Sequence, residues 1–97
     1  MLSKREMRNT ARELQENYRR LNYSEEQVLA DLALELEDLE RVLSMRHPRP
    51  GHVWMLREYL EEMLLKEGQE VFPFTVLADP SVNRWYDYER PWRQDQD

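Results

Sequence analysis

Three groups of side chains in this sequence could do chemistry. The first is basic: Lys4, Arg5, Arg8, Arg12, Arg19 and Arg20 crowd the N-terminal segment, and Arg46 and Arg49 follow further on. Such residues displace the counterions of a polyanion, the main source of non-specific DNA affinity. The second is acidic. Residues 24–45 hold seven Asp and Glu against Arg41 alone, net −6, whereas residues 1–23 hold six Lys and Arg against three Glu, net +3. That division could select partners by sign, or it could be a set of solvated helix faces. The third is a tail, Arg84, Trp85, Tyr86, Tyr88, Arg90, Trp92 and Arg93, that interleaves cations with aromatic rings. Such a tail can stack on unpaired bases. It can also form a wing, or enter a protein or homodimer contact, because aromatics and arginine favour interface cores. A fourth use is a lid, with Trp85 and one tyrosine folded over the core.

The remaining candidates carry less. His47 and His52 could hold a metal only with added carboxylates, and solvated loop histidines explain them more simply. Glu58, Glu61 and Glu62 could act as acid and base only in a cleft that separates their pKa values. Nothing in the pattern calls for such a cleft. The chain has no cysteine, so no thiol can be a nucleophile or ligand. Its two glycines leave no glycine-rich phosphate loop. No catalytic constellation, metal site or cofactor is therefore expected, and the chain is read as a non-enzyme.

These residues need elements to hold them. Ser3-Lys4-Arg5-Glu6 has the form of a capping box. Behind it Met7, Ala11, Leu14 and Tyr18 lie on one face of a helix over about 4–20. Ser24 to Gln27 repeats the box. Val28, Leu29 and Leu32, then Leu36, Leu39, Val42 and Leu43, follow as apolar faces. Periodicity permits two helices, about 25–32 and 36–45, or one continuous helix, because Ala33 is a strong helix former. Arg46 to Gly51, with two prolines and a glycine, is a loop. Val53 to Leu64 carries the widest apolar face, which predicts a central core helix over about 52–66 closed by Gly68. Trp54 and Tyr59 read as core residues of that helix. Glu70 to Leu77 is rich in aromatic and β-branched residues. Pro73 limits it to an edge strand or an extended segment, which could pair with residues near 83–92 as a hairpin.

With 97 residues, 40% hydrophobic and 35% charged, the chain fits one domain with a packed core. The longest apolar run, Val53 to Leu56, is too short to span a membrane. No apolar segment stands behind the charges of Met1 to Glu6, so no signal peptide is expected and the cytoplasm is the expected compartment.

Ser24 to Leu43 resembles the helix-turn-helix of small bacterial repressors. Ser24, Glu26, Val28, Leu32, Leu39 and Val42 stand in the places of its caps and anchors. Leu29 replaces the usual alanine, and Ala33 the usual turn glycine. A wider resemblance runs in order through Asn9-Thr10, Glu13-Leu14, Asn17-Tyr18, Ser24-x-Glu26, Asp31-Leu32 and Leu39-x-x-Val42-Leu43. It continues through Trp54-x-Leu56-Arg57-x-Tyr59-Leu60 and Pro73-Phe74-Thr75-x-Leu77. In these stretches the chain is similar to a small bacterial family called domain of unknown function 2316. That family commonly carries glycine at the turn, which implies two helices over 25–45. It has no established activity, so the resemblance implies a fold and no mechanism.

The expected architecture is mainly α. It comprises a single domain over 1–97 of about four helices, a helix-turn-helix unit at 24–45 and an extended or short β-hairpin segment at about 70–97. The expected function is a DNA-binding, transcription-regulator-like protein, with Arg5, Arg8, Arg12, Arg41, Arg46 and Arg49 on phosphates. The other reading is a protein-interaction module that keeps the fold without reading DNA. Its contacts would be Glu37, Asp38, Glu40, Trp85, Tyr86, Tyr88 and Trp92. The second helix of such a unit enters the major groove by its early residues. Here Leu36, Glu37, Asp38, Glu40 and Arg41 would be exposed, and three of these five are acidic.

Overall fold

A computed structural model of the chain describes residues 3–77 and 89–93. Its helices are α1 (Lys4–Leu21), α2 (Glu25–Leu32), α3 (Leu36–Ser44) and α4 (Pro50–Lys66), followed by one 3-10 turn, Pro91–Arg93. Among the described residues there is no strand and no helix long and apolar enough to cross a membrane.

Local chemistry sets the helix ends. Ser3 Oγ accepts from the Glu6 amide at 3.1 Å, and Glu6 accepts from the Ser3 amide at 2.9 Å, closing the capping box. Ser24 likewise accepts from the Gln27 amide at 3.1 Å. The Gln27 side chain, however, turns forward to Asp31. Pro50 occupies the first turn of α4, where its missing N–H costs nothing and its fixed φ suits the helix. The helix therefore begins two residues before the sequence expectation.

Residues 25–44 form two helices. The break is Ala33, held left-handed at φ 54° and ψ 41°. Its amide donates to the Ala30 carbonyl and the Leu34 amide to the Leu29 carbonyl. This is the paired bonding of a Schellman cap. The same pattern recurs at Met45 (φ 56°) and at Gly68 (φ 73°), so glycine stands at only one of these three ends.

The core joins all four helices. Leu14, Val28, Leu32, Leu39, Val42, Leu56, Tyr59, Leu60 and Leu64 are fully or almost fully buried. Helix α4 contributes the most, including Arg57; Trp54 is only half-buried against the core. The inward face of α1 differs from the apolar stripe. Thr10, Glu13, Leu14, Asn17 and Leu21 are buried, whereas Met7, Ala11 and Tyr18 are half-buried.

Those buried polar groups hold the segment expected to be extended or a short hairpin, and no hairpin is seen among the described residues. Residues 71–77 cross α1 without strand structure. Most of the other arm, 78–88, lies outside the described residues. Asn17 accepts from the Phe72 amide at 2.7 Å and donates to the Phe72 carbonyl at 3.0 Å, as a neighbouring strand would. Glu13 accepts from the Thr75 amide at 3.0 Å and from the Thr75 hydroxyl at 2.8 Å. Arg57 donates to the Leu77 carbonyl at 2.8 Å and lies over the Phe74 ring. Backbone groups of Phe72, Thr75 and Leu77 thus find their partners in side chains of α1 and α4.

Two outcomes are expected. Asn17→Ala removes both partners of the half-buried Phe72 backbone groups and should cost about 1–2 kcal/mol in urea unfolding; a loss under about 0.5 kcal/mol would contradict the clamp. Ala33→Gly relieves a left-handed backbone and should stabilise by about 1 kcal/mol. A comparable loss in the same assay would contradict the observed turn.

Candidate nucleic-acid interface

The cations divide by whether a carboxylate neutralises them. Arg19 and Arg20 both bind Glu16, at 2.6 Å and 2.8 Å. Their hydrogen bonds hold the Glu16 carboxyl down at about 2. Arg41 binds Glu37 at 2.6 Å, and Arg57 binds Glu61 at 3.3 Å. Arg90 and Arg93 bind Glu58 and Glu62. Among the described residues, Lys4, Arg5, Arg8, Arg12, Arg46, Arg49 and Lys66 take part in no ion pair.

All of these except Lys66 belong to the first half of α1 or to the 45–49 loop. Lys4, Arg8, Arg12 and Arg46 line one groove of about 700 Å³, and among the described residues no carboxylate lines it. Two features position them. Lys4, Arg8 and Arg12 recur every four residues, which stacks them along one helix face. Gln15 donates to the Leu43 carbonyl at 2.5 Å, tying α1 to the last turn of α3. The Schellman cap at Met45 then turns Arg46 toward α1. Arg5 and Arg49 are exposed but line neither this groove nor the next.

This arrangement works against local stability. Like charges at spacings of three and four destabilise a helix by a few tenths of a kcal/mol each, about 0.2–0.5. Lys4 and Arg5 also sit at the positive end of the helix dipole, where acids are favoured. Breaches of local rules of this kind gather at functional sites.

An adjoining groove of about 950 Å³ shares Gln15, Ser44 and Arg46 but adds Glu37, Glu40, Arg41 and His47. The surface thus changes sign along α3. At the start of α3, Glu35 and Glu37 are exposed, Asp38 is half-buried and Leu36 is 41% exposed. Of the expected phosphate contacts, Arg8, Arg12 and Arg46 come together and Arg41 is committed to Glu37. Lys4 and Gln15 join the surface; periodicity marks them only as solvent-facing.

The tail is partly described. Trp85, Tyr86 and Tyr88 lie outside the described residues. Trp92 turns inward rather than outward: its indole donates to Glu62 and meets Tyr59 edge-on, with centroids 5.3 Å apart and planes at 71°. Trp92 thus packs against the core, while the lid expected of Trp85 lies outside the described residues. Burial first, then the hydrogen bond to Asp31, raises the pKa of the Tyr59 hydroxyl. Glu58 and Glu62 are occupied by these tail contacts and Glu61 by Arg57. Among the described residues no three His, Asp or Glu side chains converge as metal ligands would.

Compared with the curated proteins and with the solved structures, the chain matches none. A family model described as an uncharacterized protein conserved in bacteria (DUF2316) matches residues 1–87, and the chain belongs to that family.

Proposed function

We propose that the chain is a non-enzymatic, transcription-regulator-like DNA-binding protein that grips phosphates from the α1 side of a helix-turn-helix unit, α2–α3. One observation carries this reading. Among the described residues, four cations without counter-charges line a groove that no carboxylate lines, and Arg5 and Arg49 stand exposed beyond it. A phosphate backbone supplies the missing negative charge, and each contact releases condensed counterions. The acidic start of α3 argues against base reading by that helix, because Glu35 and Glu37 would meet the phosphates first. Contacts to the backbone hold a protein on the duplex and carry no sequence information of their own. The protein should therefore bind duplexes of many sequences.

The second reading is a protein-interaction module. The exposed carboxylates and Leu36 at the start of α3 favour it, because that face suits a basic partner and repels nucleic acid.

Anisotropy of a labelled random duplex, titrated across salt, separates the two. With about four phosphate contacts, log K should fall against log salt with a slope near −4. Arg8→Ala with Arg12→Ala should bring the slope to about −2, since each cation contributes about one. Arg41→Ala should leave it unchanged. Absence of binding at low salt would overturn the DNA reading and leave the protein-interaction module.

A further inference from the structure

Among the described residues, Lys66 is a cation without an ion pair that lies away from the basic surface, and it lines a different cavity. This cleft, of about 690 Å³, lies among the α1–α2 loop, α2, α4 and the 3-10 turn. It falls within the size range of small-molecule sites. Tyr23, Met63 and Trp92 supply its apolar walls, and Gln27, Asp31 and Lys66 its polar groups, with Glu62 beside them.

The carboxylates differ in what they already hold. Glu62 is spent: Trp92 and Arg93 both donate to it. Asp31 is not. It accepts only neutral donors, the Tyr59 hydroxyl at 2.6 Å on one oxygen and Gln27 at 2.9 Å on the other. Among the described residues no cation pairs with it. Two donors fix its plane while leaving each oxygen a further lone pair. The cleft therefore contains one half-buried carboxylate and one ammonium, neither matched by an opposite charge among the described residues.

The walls are fixed in advance. The Tyr23 hydroxyl donates to Glu67 at 2.8 Å. The Trp92 indole is held by Glu62 and by the Tyr59 ring. Rigid aromatic walls lower the ordering cost of binding, and their faces also attract an organic cation.

We propose that this cleft binds an α-amino acid with an aromatic side chain, or a close zwitterionic relative. The ligand ammonium bonds to Asp31, its carboxylate meets Lys66, and its ring lies among Tyr23, Met63 and Trp92. The site is separate from the basic groove and does not depend on the DNA reading. Because Trp92 belongs to the 3-10 turn, the bound ligand also fastens that turn to α2 and α4.

Titration calorimetry on the full chain, followed in parallel by the Trp92 indole N–H resonance, tests it with three probes. These are L-phenylalanine, its methyl ester, which lacks the carboxylate, and 3-phenylpropionate, which lacks the amine. L-phenylalanine should bind about tenfold tighter than either analogue, the expected worth of one charge-assisted contact. Lys66→Met, an exposed substitution, should weaken L-phenylalanine to the level of the ester and leave the ester unchanged. Asp31→Asn should weaken L-phenylalanine to the level of 3-phenylpropionate, with circular dichroism confirming the fold. No L-phenylalanine binding up to about 10 mM, equal binding of all three probes, or an unaltered affinity in Lys66→Met would each overturn the proposal.

Discussion

Buried backbone amides and carbonyls must find partners, and residues 70–77 have neither a helix nor a strand in which to find them. Side chains from two helices supply those partners. Asn17 takes both polar groups of Phe72, Glu13 takes the Thr75 amide, and Arg57 takes the Leu77 carbonyl. Arg20 adds a longer bond to the Glu70 carbonyl at 3.4 Å. Held at these points, the segment buries Phe74 and Leu77 against the core. Helix α1 is thereby committed by its inner face to this segment, while Gln15 holds it to the end of α3. What α1 has left to offer a partner is its basic outer face.

The charges follow the same division. Cations near the clamp and near the 3-10 turn are matched by carboxylates and hold the chain to itself. Exposed pairs contribute only about 0–1 kcal/mol each, so their value is chiefly orientation. Among the described residues, cations on the first half of α1 and in the 45–49 loop join no ion pair. Their clustering is costly to the free protein and gains from an anionic partner. Net charge alone conceals this, because −6 averages over surfaces of opposite sign.

Much of the scaffold is legible in the sequence. Ser3 and Ser24 mark helix starts, Gly68 a helix end, and the apolar run from Val53 marks the central helix. The break at Ala33 is not legible from periodicity, because alanine carries no turn signal; the family resemblance points to it. The buried face of α1 is hidden for a related reason. Glu13 and Asn17 read as solvent-facing until their partners in 72–75 are known, and Thr10 until its hydroxyl is seen to donate back to the Glu6 carbonyl. The aromatic and β-branched run at 71–77 reads as an edge strand or an extended segment, and propensity leaves that choice open because it reports the segment and not its neighbour. Several residues of the family resemblance, Glu13, Asn17, Arg57 and Thr75, are members of the clamp. The family match therefore speaks for the fold and says little about activity. The basic residues are each legible as exposed cations, but their convergence requires the α1–α3 contact.

Amide chemical shifts, followed as a short random-sequence duplex is added at low salt, test the central claim most directly. The account predicts shifts confined to residues 4–12 and 45–49, fading as salt is raised. Shifts centred on residues 35–41, or none at all, would contradict it.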